Sequence, residues 1–408
     1  MVVSCFLVAF LVLSAINWIE QIPWRKSAGA HWTERCRILW PARRTNAILI
    51  LYVPLLLAAG SSLASEADLW NLAPRWLAAS AGAVGAGWFV TRQLHPGILL
   101  RSWLHDVAIG WVLRLGIWLV LLGVGFSMPD QLNSRAWLML GGVIVLMVVW
   151  PFMALHVLRW FGIIRPAGER LQKIVADCVR DSGPRVRHLW QASGVVANAF
   201  ALPLSGTLVF FDRLMETLTD EEVAAICSHE LGHLAESKRV LIGRYFGAMA
   251  VLPLLLIKPA VHQWEFPGAF AMVLVMIIWS RLSRRLVHLM ESRADAIASH
   301  QQAGEGVYAR ALEKIYQVNH LPAVMPGNRS THPHLYDRML AAGTTPGFPR
   351  PRAPRKFTLL GWFMLFAGPF ALIWMVSDDF QDGGHVDHRK ASHRPVGHRP
   401  STLSPPER

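Results

Sequence analysis

The pentapeptide His229-Glu-Leu-Gly-His233 has the residue types and the spacing of a site that could bind and use a metal ion. Two histidines four residues apart share one face of a helix, with Cβ atoms roughly 5–6 Å apart. Both imidazoles can then reach one tetrahedral Zn²⁺. Glu230 projects beside the open coordination position, where its carboxylate can take a proton from a water activated by the metal. The alternative interpretation is a pair of ordinary core histidines on a buried helix.

The segment 218–235 is predicted to be the helix that this chemistry needs. Thr219 is a suitable N-cap, and Glu222 three residues later completes a capping box. Apolar residues follow at helical spacing. Gly232 costs on the order of 1 kcal/mol against alanine inside a helix. We therefore expect a close neighbour at Gly232, either a crossing helix or an approaching substrate.

A third metal ligand is expected from a second helix, predicted over residues 285–300. This segment places Glu291 and Asp295 on one face. Glu291 can bind the metal, and Asp295 can accept the free ring N–H of a ligand histidine and fix its tautomer. Taken alone, the same pattern also fits a solvated charged face.

Four ordered sequence blocks resemble a known family. They are Asn198-Ala-Phe-Ala-Leu-Pro203, the helix of the two histidines, Glu291-Ser-Arg-Ala-Asp295 and Thr331-His-Pro-His-Leu-Tyr-Asp-Arg338. Together they resemble the HExxH membrane zinc metallopeptidases that include the CAAX prenyl proteases and the heat-shock protease HtpX, over roughly residues 186–338. The sequence departs from the family pattern at Leu204, where glycine is usual, and at His334, which replaces a second proline.

The resemblance implies a role for each matching residue. By it, one zinc ion is held by three ligands, Glu230 is the general base, and a second catalytic side chain donates to the oxyanion. It also implies one residue that orients a ligand histidine, Asp295, and three that bind substrate, Asn198, Ala199 and Arg338. The three zinc ligands are then His229, His233 and Glu291, and the second catalytic residue is His332.

Three short segments upstream of the histidines have the composition of strands. Residues 186–191, 195–201 and 207–211 are rich in β-branched and aromatic side chains and are separated by Ser-Gly turns. A small sheet beside the predicted helix 218–235 would offer an edge to which an extended substrate can bind through main-chain hydrogen bonds. A purely structural hairpin is the alternative.

The composition predicts a multi-pass membrane protein. The 408 residues are 53% hydrophobic and 16% charged, with 18 tryptophans. About eight apolar runs approach the roughly 20 residues that cross a bilayer. The stronger runs are 2–18, 47–64, 107–126, 136–157 and 357–376, and the weaker ones are 76–90, 245–257 and 268–280.

The net charge of +13 lies mainly in loops between these runs. Basic residues dominate residues 25–44 and 159–187, whereas the loop near residue 66 is acidic. This alternation follows the positive-inside rule and predicts a cytoplasmic active site, in a bacterial inner membrane. No basic patch interleaved with aromatic residues indicates nucleic-acid binding. The expected partners are protein or peptide substrates and the lipid bilayer.

The predicted fold is a mostly α, multi-pass membrane protein with a cytosol-facing zincin-like α+β domain that contains a small β-sheet. Residues 1–160 are predicted as transmembrane helices, 161–345 as the metallopeptidase domain with a membrane hairpin at 241–282, 346–377 as a linker and last span, and 378–408 as a disordered tail.

The function predicted from the sequence is a zinc-dependent membrane endopeptidase. The alternatives left open are CAAX-type processing of prenylated proteins and a non-catalytic scaffold or transporter with a vestigial metal site. An intramembrane protease of the site-2 type is disfavoured because the metal helix begins with Thr219-Asp-Glu-Glu222 and no Leu-Asp-Gly motif is present. A sensor of the antibiotic-receptor type is disfavoured because the tail after Ser377 is short.

Overall fold

The computed structural model describes residues 1–62, 69–182, 184–326 and 334–368. Within these ranges the chain is mostly helical and carries one small mixed β-sheet, which confirms the predicted fold class. His332 and the tail 378–408 lie outside the described residues.

In its described residues, 1–62 and 69–160, the N-terminal part is built from seven helices. They are α1 (Val2–Glu20), α2 (Ile22–Lys26), α3 (Trp32–Ser62), α4 (Leu69–Leu94), α5 (Leu100–Gly110), α6 (Gly116–Ser127) and α7 (Ser134–Trp160), with a π-helical turn at Trp111–Leu115. Small residues let α1 and α4 approach closely: a Cβ at Gly82 would overlap the carbonyl of Phe6, and Ala79, Ala83 and Ala9 are fully buried between the helices. Such contacts are typical of helices that pack within a bilayer.

Four helical stretches among the described residues are long and apolar enough to cross a membrane. They are Val2–Lys26, Leu100–Gly125, Ser134–Trp160 and Lys238–His300. This is fewer than the roughly eight runs counted on length alone. Helices α3 and α4 cover two further runs, but charged residues in α3 and the many alanines and glycines of α4 lower their hydropathy. Only the first part of the last run is described, as the apolar helix Leu359–Gly368.

The second part of the chain alternates strands and helices. Its strands are β1 (Ile164–Pro166), β2 (His188–Ala192), β3 (Ala199–Leu202) and β4 (Thr207–Phe211). Its helices are α8 (Glu169–Ser182), α9 (Asp212–Thr217), α10 (Asp220–Leu234), α11 (Lys238–Ala248), α12 (Ile257–His300), α13 (Val307–Val318) and α14 (Leu335–Ala341), with a 3₁₀ segment at Met249–Leu256.

The sheet has the order β1-β2-β4-β3, with β2 and β4 parallel and the two outer pairs antiparallel. The three predicted strands correspond to β2, β3 and β4, although β3 begins at Ala199, four residues later than expected. The three-residue strand β1 has no signal of its own in the sequence and depends on pairing with β2.

Strand β4 joins the two parts of the protein. All five of its residues are buried, and they alternate between two cores. Leu208 and Phe210 pack with the helices around α10, whereas Val209 and Phe211 pack with Leu158 at the end of α7. The sheet is therefore covered on both faces, and through the sheet the helices around α10 are packed against the end of α7.

Helix α12 is long and kinked at Glu265, whose φ of 52° lies in the left-handed region. Helix α11 packs against its middle, where Gly243 meets Leu286 and Gly247 meets Ser283. The chain thus leaves α10 and returns along α12. The assignment of residues 241–282 to a membrane hairpin stays a prediction.

Candidate metal centre and active site

Helix α10 presents the two histidines to the interior of the protein. The expected capping box is present: the Thr219 hydroxyl accepts from the Glu222 amide, and the Glu222 carboxylate accepts from the Thr219 amide at 2.9 Å. Lys314 binds the same carboxylate at 2.7 Å. The helix start is therefore fixed, and His229 and His233 are both buried one turn apart.

Gly232 marks the point where α12 crosses α10. A Cβ at this position would lie 3.2 Å from the Cα of Ala294 and 3.2 Å from the Cδ1 of Ile297. Of the two neighbours expected at Gly232, the structure shows the crossing helix. Glycine allows the backbones to approach closely enough for side chains of α12 to reach the histidines.

Glu291 of α12 lies against both histidines. Its Oε2 is 3.7 Å from the Nε2 of His229, and its Oε1 is 3.6 Å from the Nε2 of His233. One ligand atom from each of the three residues lies within 4.8 Å of the others. Glu291 and Asp295 are both buried, which excludes the solvated charged face.

The tautomer of His229 follows from its partner Tyr308. The buried Tyr308 hydroxyl donates to Asp295 Oδ1 at 2.6 Å, so its single proton is committed. It also lies 2.9 Å from His229 Nδ1, which must then be the donor. Burial raises the pKa of Tyr308, so the phenol keeps this proton. His229 therefore carries its proton on Nδ1 and turns the lone pair of Nε2 toward Glu291.

His233 is oriented in the same way by Glu236. The Nδ1 of His233 is 2.8 Å from Oε1 of this carboxylate, which can only accept, so Nε2 again presents a lone pair. Burial alone would lower the pKa of His233. The hydrogen bond to Glu236 and the negative charges of Glu230 and Glu291 outweigh burial and raise the pKa. The centre consequently favours a positive charge.

The three ligand atoms fit a divalent metal ion. Ligands at about 2.0–2.2 Å from a tetrahedral ion lie about 3.4 Å from one another, and the two Nε2–carboxylate distances are close to this value. Two imidazoles and a carboxylate, each imidazole held from behind by an acceptor, are a donor set that zinc prefers. The structure thus brings together the three residues predicted as metal ligands, His229, His233 and Glu291, and their binding of a metal ion stays a prediction.

Arg338 lies behind the metal centre. It donates to both oxygens of Asp295 at 2.8 and 2.7 Å and to the Tyr308 hydroxyl at 2.9 Å. Its guanidinium is buried, so its position supports a role in holding Asp295. Its predicted contact with substrate stays a prediction.

Two residues of this centre were missed by the sequence analysis. Glu236 stands three residues after His233, and this helical spacing was the signal that could have found it. Tyr308 is 79 residues from His229 and has no local signal, because only the packing of α13 on α10 brings it there.

Strand β3 forms one wall of the active-site cavity, which has a volume of about 570 Å³ and is also lined by Glu230. Asn198 and Ala199 both line it, and their contact with substrate stays a prediction. The Phe211 amide donates to the Asn198 carbonyl, so residues 198, 200 and 202 turn their backbone groups toward β4. Ala199 and Ala201 turn theirs outward, where no strand of the described residues pairs with them.

Comparison with known proteins shows what the second part of the chain is similar to. The sequence model of peptidase family M48 matches residues 167–345. Over 141 residues the chain is 28% identical to a protein named Protease HtpX homolog from Thermoplasma acidophilum. This match covers 30% of the chain and 44% of the relative, so the chain spans less than half of that protein's length. Residues 167–345 are therefore similar to peptidase family M48, and both comparisons support the resemblance to HtpX-type membrane metallopeptidases.

Proposed function

We propose that this protein is a zinc-dependent endopeptidase that cleaves membrane or membrane-associated proteins. One observation carries the proposal: the Nε2 atoms of His229 and His233 face the two oxygens of Glu291 at 3.7 and 3.6 Å, with Glu230 on the same helix. The match to a peptidase family supports the same reaction class.

His229, His233 and Glu291 would hold the ion. Zinc, when bound, acts as a Lewis acid on the scissile carbonyl and makes water a better nucleophile at neutral pH. Glu230 lines the cavity, takes one proton from the attacking water and delivers it to the nitrogen of the leaving amine. Asp295, through Tyr308, and Glu236 keep both imidazoles in the tautomer that binds metal.

Substrate binding is proposed at the outer edge of β3. An extended peptide can accept from the amides of Ala199 and Ala201 and donate to their carbonyls, which requires no particular side chain. Asn198 at the start of the strand is placed to contact the same peptide. This mode suits a protease that acts on unfolded segments. His332 is proposed to donate to the oxyanion, as the family resemblance implies.

The candidate membrane helices support a reaction beside a bilayer. Strand β4 packs on the end of α7, which is itself a candidate span. The basic segment 159–187 follows that helix directly, and basic loops favour the cytoplasmic side. We propose that the active site faces the cytoplasm of a bacterial cell, at its inner membrane.

The test is Glu230→Gln in the purified full-length protein. This change should leave zinc bound at close to one ion per chain and should lower cleavage of an unfolded substrate by at least about a hundredfold, since general-base catalysis contributes roughly that much. The matched control is Glu221→Gln, an exposed glutamate in the first turn of the same helix, which should behave as the unchanged protein. Cleavage undiminished by Glu230→Gln would refute the mechanism.

The same measurements test the non-catalytic scaffold. A scaffold with a vestigial site predicts no cleavage by the unchanged protein, or substoichiometric zinc that is insensitive to His233→Ala. Substrates would be sought by comparing membrane proteomes of cells that contain the unchanged protein or the Glu230→Gln variant. Proteins that accumulate only with the variant are the expected substrates.

A further inference from the structure

Arg43 is a positively charged residue of the membrane part of the protein that lies at the active-site cavity. It lies on α3, outside the residues that match the peptidase family, yet it lines the active-site cavity together with Glu230 and Glu291. It also lines a second cavity of about 400 Å³ between α1, α3, α4 and α5. Arg43 therefore stands in the wall that the two cavities share.

One side-chain nitrogen of Arg43 binds the backbone at the end of α13. Its Nη1 donates to the carbonyls of Asn319 and His320 at 2.8 and 3.2 Å, just after the end of α13. A cation is favourable there because a helix C-terminus carries partial negative charge. Within the part of the chain that the structure describes, Nε and Nη2 have no hydrogen-bond acceptor, and no carboxylate forms an ion pair with the guanidinium.

His95 extends the same wall. It follows α4, lines both cavities, and its ring is 5.1 Å from that of His320. Burial, His320 and the positive charges of Arg213 and Arg43 lower the pKa of His95 to about 4. At neutral pH its ring is thus an uncharged hydrogen-bonding group beside a guanidinium that lacks an acidic partner.

The second cavity has polar residues in its lining. The Nδ2 of Asn17 and the Oε1 of Gln21 are buried and have no hydrogen-bond partner among the described residues. Both residues line the cavity. Buried polar groups normally find partners, so the cavity suits water or a polar group. Its acidic residue Asp106 is engaged by the Val195 amide at 2.9 Å.

We propose that Arg43, assisted by His95, is a specificity residue that binds a carboxylate of the substrate. The inference rests on the proposed peptidase function and adds a preference to it. The carboxylate can be an acidic side chain near the scissile bond or a free C-terminus, since the two groups have the same chemistry. Of the acids that line the active-site cavity, Glu291 faces both histidines and Glu230 lies next to His229 on α10, whereas the Arg43 guanidinium has no carboxylate partner among the described residues.

The experiment uses two matched sets of peptides and the full-length zinc-loaded protein. The first set scans one glutamate or one glutamine through the positions around the cleaved bond, with an amidated C-terminus. The second set is neutral throughout and ends in either a free carboxylate or an amide. At one position the acid should raise kcat/KM by about tenfold or more, the factor that one charge-assisted hydrogen bond supplies.

Substitutions at Arg43 should change this preference. Arg43→Gln should abolish the acid preference, measured as the ratio of kcat/KM for matched acidic and neutral peptides, whereas Arg43→Lys should keep most of the preference. The matched control is Arg44→Gln, an exposed arginine at the next position of α3. Arg244→Gln tests a second arginine that lines the cavity and should leave the preference intact.

A binding arm separates this inference from the proposed function. Fluorescent peptides are titrated onto Glu230→Gln protein, with and without the Arg43→Gln change. Tighter binding of the acidic peptide that depends on Arg43 supports the subsite even if no peptide is cleaved. The absence of cleavage by the unchanged protein would refute the peptidase function and not the subsite. The subsite is refuted by equal kcat/KM and equal binding for acid and neutral peptides. Equal losses for both peptides in Arg43→Gln also refute it, because they indicate only a structural role at α13.

Discussion

The hydroxyl of Tyr308 lies 2.6 Å from Asp295 Oδ1 and 2.9 Å from Nδ1 of a metal-site histidine, so one phenol joins α13 to both helices of the candidate metal centre. The relation between Tyr308 and Asp295 explains why an acid four residues after Glu291 need not touch the metal. It acts through the phenol and directly at 3.1 Å to hold the ring of His229.

Tyr308→Phe should therefore weaken metal binding without unfolding the protein. The phenyl ring keeps the stacking on His229, whereas the Nδ1 donor keeps only its longer contact with Asp295. Loss of such an outer partner typically lowers metal affinity by about tenfold to a hundredfold. Competition with a chelator measures the zinc dissociation constant. Tyr316→Phe, another buried tyrosine of α13, is the control, and an unchanged affinity in Tyr308→Phe would show that the Tyr308 hydroxyl does not support His229.

The contrast between predicted and unpredicted residues has a physical cause. The capping box of α10 and the pairing of histidines depend on neighbours three or four residues away, so the sequence displays them directly. Tyr308 reaches His229 across 79 residues, and Arg43 reaches Asn319 across 276. Contacts of this kind arise only when helices pack, and no local pattern records them. Glu291 could be predicted as a ligand from its sequence block and the family resemblance.

The crossing of α10 and α12 at Gly232 should tolerate no larger residue. In Gly232→Ala the new Cβ would lie 3.2 Å from the backbone Cα of Ala294, which cannot rotate away. Moving α12 would displace Glu291 from the histidines, so zinc affinity should fall, and overpacking should destabilise the fold by about 1–3 kcal/mol. Thermal unfolding in detergent and zinc titration measure both effects.

The control for this crossing is Gly87→Ala in α4, where a Cβ meets nothing within 4 Å. That change should leave zinc binding intact, and it should raise the thermal midpoint slightly because alanine favours a helix. A Gly232→Ala protein with normal zinc affinity would show that the helices can separate without moving the ligands.

We expect the effects of replacing Arg338 and Asp295 on the free energy of unfolding to depend on each other. Replacing Arg338 by methionine leaves the Asp295 carboxylate buried without its cation, which typically costs about 3–5 kcal/mol. Asp295→Asn in the same chain should recover part of this loss, because the remaining amide is uncharged. Thermal unfolding of the two single variants and the double variant measures the coupling. Arg350→Met, which removes an exposed pair with Asp337, should change the midpoint little.

The outcome also decides between two roles of Arg338. If Arg338→Met leaves stability unchanged and raises only KM, the residue binds substrate, as the family resemblance implies, and its contact with Asp295 is incidental. If the loss of stability is large and is partly reversed by Asp295→Asn, the buried pair is the main role. Zinc affinity should follow stability in the second case, since Asp295 holds His229.

The outer edge of β3 offers the last test, because it separates main-chain binding from side-chain recognition. Ala201→Pro removes an amide that faces the cavity, while the hydrogen bonds of residues 198, 200 and 202 to β4 are retained. We expect kcat/KM for an extended peptide to fall by about tenfold per lost hydrogen bond, with unchanged zinc content. Ala201→Val, which keeps the amide, is the control. A substrate whose backbone carbonyls are replaced one at a time by methylene groups should lose cleavage at one position in the unchanged protein and lose nothing further at that position in Ala201→Pro, because both changes remove the same hydrogen bond. If the carbonyl replacement and the proline reduce the rate independently, the peptide does not accept from the Ala201 amide, and β3 is only a wall of the cavity.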